Sequence, residues 1–170
     1  MTPIGPGQTL SAMLANGEID ALHTARTPST FYSRPEAVKR LFPDFVQVEK
    51  AYYRKTGLFP IMHCVVLKRS LYEEHPWVAA NLLKALEAAK HIALEAMYDY
   101  GALLYALPWL VAELEDTRRL MGPDPWPYGV EANRAALDAA CQYVHEQGVT
   151  PRRVAVDELF ATNTLGTYHV

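Results

Sequence analysis

Two segments patterned as strands, five or six segments with helical periodicity, and Gly or Pro punctuation between them predict an α/β chain that is mostly helical. The chain has 170 residues, half of them hydrophobic and 21% charged, which is enough to fold around a core rather than stay disordered. The net charge of −3 and the scattered Lys and Arg offer no field for phosphate backbones, so nucleic acid is not an expected partner. Nor is a membrane: the longest uncharged stretch, Tyr100 to Ala112, is interrupted by Pro108 and is well short of the ~20 residues that span a bilayer. Met1 to Leu10 has no basic or apolar leader pattern, and cytoplasm is the expected compartment. Cys64 and Cys141 form no CxxC motif, which points away from a disulfide framework or a structural zinc site.

Thr9 to Ala15 reads as a short helix closed by Asn16-Gly17, because glycine takes the left-handed conformation that ends helices. Glu18 to Thr24 then alternates as a strand, and Arg26-Thr27-Pro28-Ser29 breaks it as a loop. Pro35 opens a short helix through Leu41. Pro43 stops it, and Asp44 caps another that runs to Lys55 before Gly57. Phe59 to Leu67 is almost continuously hydrophobic, the pattern of a strand covered on both faces.

A long amphipathic helix follows His75-Pro76, with Val78, Leu82, Leu86, Ala89, Ala93, Met97 and Tyr100 on one stripe. The next helix carries Leu107, Leu110, Val111, Leu114 and Met121, pairs Glu115 with Arg119, and ends at Gly122-Pro123. The last runs from about Glu131 to Gly148, with Ala136, Leu137, Ala140, Cys141 and Val144 facing the core. Two strands cannot satisfy each other's backbone as a buried parallel sheet, so something that completes the sheet is expected to lie outside this chain.

Three segments carry a family signature: Leu14-Ala15-Asn16-Gly17-Glu18-Ile19-Asp20-Ala21-Leu22, then Leu41-Phe42-Pro43-Asp44 with Ala51 to His63, then Trp126-Pro127-Tyr128-Gly129 with Asn133-Arg134. With Asp157-Glu158-Leu159-Phe160 they cover nearly the whole chain, and together they resemble the 4,5-dihydroxyphthalate decarboxylase family. Members of that family are about twice this long, so the resemblance implies a C-terminal portion lacking the first lobe. It also implies a class II periplasmic-binding-protein-like architecture of two α/β lobes with a ligand cleft between them. By that analogy residues 1–57 belong to the second lobe, 58–70 form a hinge-crossing strand, and 71–170 are helices that pack on the first lobe.

Non-oxidative decarboxylation of a hydroxylated ring needs a proton donor at the ipso carbon, a cation for the retained carboxylate and a dry wall beside the leaving group. His63, an imidazole inside an apolar strand, is the candidate proton donor; the alternative is a core histidine hydrogen-bonded to backbone. Cys64 should point to the opposite sheet face and is not its catalytic partner. Arg26, after the first strand, is the candidate grip for a substrate carboxylate, with His23 and Ser29 as companions; otherwise it is a surface arginine. Trp126 and Tyr128, among Pro123, Pro125 and Pro127, either wall an aromatic pocket or pin their loop. The Tyr52-Tyr53 pair has the same ambiguity, with helix packing as the simpler role.

Glu87, His91 and Glu95 have i,i+4 spacing but lie on the polar face, as a solvated charge row does. His75 and His145 sit at helix ends and His169 in the tail, none with metal-ligand spacing. No cofactor is predicted, and a divalent ion shared by two lobes stays open. A small aromatic carboxylate is the expected partner. The competing readings are a small-acid transport receptor or sensor and an inactive truncated product, and the uncovered apolar surface of such a fragment favours a homo-oligomer.

Overall fold

The computed structural model describes residues 3–101 and 104–166, which divide into two compact units, one up to Ala51 and one from Tyr52 onward. His169 lies outside the described residues. In the N-terminal unit, α1 (Leu10–Ala15) begins at Thr9, whose Oγ1 accepts the Ala12 N–H at 3.2 Å. Its end is set by Gly17 at φ 74°, which lets Gly17 N–H reach Leu14 O at 3.1 Å and Glu18 N–H reach Met13 O at 2.9 Å. Those two bonds satisfy the carbonyls a helix end leaves free.

The short α2 (Thr30–Ser33) is tied to α1 by the Thr30 hydroxyl, which donates to Ser11 O at 3.2 Å. It occupies the place where a loop followed by a helix at Pro35–Leu41 is expected. Residues 35–37 are instead a single turn closed on Arg34 O, because Val38 is the one apolar side chain there that becomes buried, while Leu41 stays 82% exposed. One buried residue does not offset the cost of nucleating a helix.

Helix α3 (Phe45–Thr56) runs across the division between the units and ends at Gly57, φ 68°. In the C-terminal unit it is followed by α4 (Arg69–Glu74), α5 (Trp77–Tyr98), α6 (Leu110–Met121) and α7 (Val130–Glu146). Two 3₁₀ turns, Val156–Glu158 and Thr162–Thr164, close the order. Helix α4 falls where only a strand boundary is expected, and α6 starts three residues after Leu107. The core of this unit is Val130, Leu137 and Val156, with Cys141, Phe160 and Leu165 packed against it. Ala140 and Val144 on α7, expected in the core, are exposed. The second 3₁₀ turn is locked to the α4–α5 junction: Tyr72 Oη bonds Thr162 Oγ1 at 3.1 Å and Asn163 Oδ1 at 3.2 Å, while Asn163 Nδ2 donates to Pro76 O at 2.8 Å.

The described residues contain no strand, which corrects the α/β expectation: the chain is helical. Neither Glu18–Thr24 nor Phe59–Leu67 finds a ladder partner, and a strand without one is not a stable element. Phe59–Leu67 makes no backbone–backbone hydrogen bond to described residues, and its apolar side chains stand in solvent, Val66 at 84% exposure. The total accessible surface is 13,268 Å². Two independent compact globules of these lengths would together expose only about 10,000 Å².

This distribution of burial makes a contrast measurable by denaturant unfolding. Leu137→Ala is expected to cost about 2 to 4 kcal/mol, since it opens a cavity in a small core. Val66→Ala is expected to stay within about 0.5 kcal/mol. A Val66 cost equal to that of Leu137 would show that the 59–67 segment is covered after all.

Candidate functional site

The segment Pro123 to Gly129 holds three prolines, so it presents backbone carbonyls with too few N–H groups to match them. Side chains supply the missing donors. Asn133 Nδ2, one turn into α7, donates to Pro127 O and Gly129 O, both at 2.8 Å. Lys90 Nζ, from α5, donates to Trp126 O at 3.3 Å and to Asp124 at 2.8 Å. The same ammonium pairs with Glu87 at 2.7 Å and lies 4.8 Å from the centre of the Tyr128 ring. Its side chain is 9% exposed. Burial pulls its pKa down, but hydrogen bonds to Asp124 and Glu87 outweigh that and raise it above the ordinary lysine value.

Lys90 and Asn133 thus hold the loop that presents Trp126 and Tyr128. Trp126 in turn meets Phe59 edge to face, centroids 5.4 Å apart, which places the start of the 59–67 segment opposite the loop. Between them opens a groove of about 960 Å³ within the C-terminal unit. His63, Trp126 and Tyr128 all line it, so three of the six side chains singled out in the sequence face one groove. Met62, Leu86 and Phe160 supply apolar surface, the water-excluding lining that small-molecule sites use.

His63 is exposed and makes no hydrogen bond or ion pair among the described residues. The separation of His63 from Cys64 by sheet faces loses its premise, since the described residues hold no sheet; both line the groove. Arg26, His23 and Ser29 lie in the N-terminal unit, all exposed, and are not among the groove's lining residues. The Ser29 hydroxyl is 3.4 Å from that of Ser11, and Arg26 bonds Thr24 Oγ1 only through its backbone N–H, at 3.3 Å.

Charges along the groove are unevenly matched. Asp124 is paired with Lys90, Asp157 with Arg134 at 2.9 Å, and Glu158 with Arg152 through two bonds of 3.0 and 2.6 Å. The Arg152 fork, with the Ala155 N–H at 3.0 Å, holds the Glu158 carboxyl down at about 2. Arg69, at the start of α4, lines the groove and has no anionic partner among the described residues. Among those residues no cluster of His, Cys, Asp and Glu suits a metal ion, and His91 pairs with Glu95 at 3.2 Å as an exposed charge row. No helix of the described residues is long and apolar enough to cross a membrane.

Sequence reasoning missed Lys90 and Arg69. The surplus of acceptors in a proline-rich loop is the signal that calls for a donor such as Lys90. Arg69 carries no such signal, since Lys68-Arg69 reads equally well as the edge of an apolar run.

Two outcomes follow. Lys90→Met leaves Asp124 and the Trp126 carbonyl unpaired, so it should cost about 1 to 3 kcal/mol and shift Trp126 emission; an unchanged spectrum and stability would show that the loop is held some other way. Glu158 has a folded pKa below its ordinary 4.5, so the protein is stabilised by that group above pH 4.5, and the contribution is lost as pH falls from there toward 2. Melting temperature measured across that window should therefore fall less steeply in Glu158→Gln than in the parent.

No protein-family model matches the chain. Over 164 residues, 96% of its length, it is 37% identical to the 4,5-dihydroxyphthalate decarboxylase of Comamonas testosteroni, and it spans about half (50%) of that protein. The matched stretch takes in the Pro-rich loop, the 59–67 segment and the groove they frame, and on that similarity the chain belongs to the 4,5-dihydroxyphthalate decarboxylase family.

Proposed function

We propose that this chain supplies one half of a carboxy-lyase that removes a carboxylate, without oxidation, from 4,5-dihydroxyphthalate or a similar hydroxylated aromatic acid. The observation that carries this reading is the meeting of His63, Trp126 and Tyr128 on one groove in a chain related to a decarboxylase of that name. The chemistry is simple to balance. The His63 imidazolium gives its proton to the ring carbon bearing the carboxylate, while a hydroxyl para to that carbon feeds electron density into the ring. The bond to the carboxylate then breaks, its electron pair restores aromaticity, and carbon dioxide departs, leaving protocatechuate or its analogue. Neutral His63 takes its next proton from water. Trp126 and Tyr128 flank the ring and keep water from the leaving group.

The uncovered surface supports a role for a further polypeptide. A nine-residue segment, apolar but for His63 and with unpaired backbone, is a surface for strand pairing, and the remaining half of such an enzyme is the cover proposed for it. In its absence, self-association of this chain through the same segment is the expected outcome.

A chimera in which this chain replaces the matched half of the Comamonas testosteroni enzyme provides the test. It should release carbon dioxide from 4,5-dihydroxyphthalate, and His63→Gln should lower kcat by about 10²- to 10⁴-fold with the fold intact. A folded chimera that binds the acid without turnover would favour a non-catalytic acid receptor. Full activity in His63→Gln would leave decarboxylation standing and remove His63 from it.

A further inference from the structure

We infer that Arg69 is the carboxylate anchor of the groove, and that the groove selects a planar aromatic anion over its neutral counterpart. The inference deepens the decarboxylase reading by naming a binding residue which that reading does not require. It rests on which charged side chains of the lining already have a partner. The three acidic side chains there, Asp124, Asp157 and Glu158, are each paired with a cation of the same unit, Lys90, Arg134 and Arg152, the first two of which also serve Glu87 and Glu131. None of those three cations is itself a lining residue. The polar lining side chains Tyr72 and Asn133 are committed to Thr162, Asn163 and the Pro-rich loop.

Arg69 is the one lysine or arginine that lines the groove, and no hydrogen bond, ion pair or ring contact to described residues occupies its guanidinium. The groove therefore carries one unoccupied guanidinium, on a lining that also includes the aromatic rings of Phe59 and Trp126. A guanidinium presents a planar fork that accepts a carboxylate through two parallel bonds, whereas a lysine offers a point charge. Anion plus flat ring is the chemistry this lining matches.

The test is titration of the 170-residue chain with phthalate and, separately, with catechol, followed by calorimetry. Phthalate should bind and catechol should bind more weakly. Arg69→Ala should weaken phthalate by about 10- to 100-fold, the loss of a charge-assisted pair, with catechol unchanged, and Arg69→Lys should fall between parent and alanine variant. Arg69 touches no described partner, so circular dichroism should report the same fold in all three. Equal phthalate affinity in parent and Arg69→Ala overturns the inference, and so does a parent chain that binds no phthalate. Arg69-dependent binding in a protein whose chimera releases no carbon dioxide would uphold the anchor and reject decarboxylation. Turnover by the chimera that is indifferent to Arg69→Ala would do the reverse.

Discussion

Nine consecutive residues, Phe59 to Leu67, bring apolar side chains and a full set of backbone donors and acceptors, Pro60 aside, yet neither need is met within the described residues. A buried backbone group must find a hydrogen-bond partner, and an apolar side chain gains only when water leaves it. At the surface water can serve the backbone, but the side chains go unburied, so only the first of these demands is met. What else the C-terminal unit does follows from that. Its packed core is small, Val130, Leu137 and Val156 with Cys141, Phe160 and Leu165 against them, and the segment borders an open groove.

The groove keeps its form because its opposite wall is held by polar contacts rather than by packing. Lys90 and Asn133 satisfy the carbonyls of a loop whose prolines cannot satisfy one another, and the charged Lys90 stays in place because Asp124 and Glu87 compensate its burial. Phe59 meets Trp126 across the opening. A wall of this kind depends on hydrogen bonds between neighbours along α5 and α7, so it persists where the hydrophobic core is thin.

The helices were legible wherever one physical signal sufficed. Thr9 with Asn16-Gly17 marks both ends of α1, and Gly148 marks the end of α7 by the same pair of bonds, Gly148 N–H to His145 O and Val149 N–H to Val144 O. Helices α2 and α4 were not legible, because each is a single turn or two whose formation depends on tertiary ties, Thr30 to Ser11 and Tyr72 to the 162–163 turn. The two strands fail for a different reason. Alternation and hydrophobicity describe a segment's willingness to pair, and pairing needs a second segment. Phe59–Leu67 has the sequence of a strand and lacks the partner. At the site, His63, Trp126 and Tyr128 stood out because an imidazole in an apolar run and aromatics among prolines are uncommon placements. Arg69 did not, since only the three-dimensional pairing of the three acids that line the groove leaves it conspicuous.

That pairing gives the groove a chemical direction which its composition alone does not. Counted as residues, the lining holds more carboxylates than cations and would be expected to repel an acid. Counted as interactions, each carboxylate already faces a guanidinium or an ammonium, and Glu158 is held so firmly ionised that it stays committed to Arg152 throughout the neutral range. The lining side chains with no hydrogen bond or ion pair to described residues that could meet a bound anion are then the Arg69 guanidinium and the His63 imidazole. Both stand on the chain between the end of α3 and the start of α4, on the flank of the exposed 59–67 segment. A cover that buried this flank would lower the local dielectric and strengthen each of those charges toward a carboxylate. The same event that satisfies the backbone of Phe59–Leu67 is therefore the one that would sharpen the site for an anion.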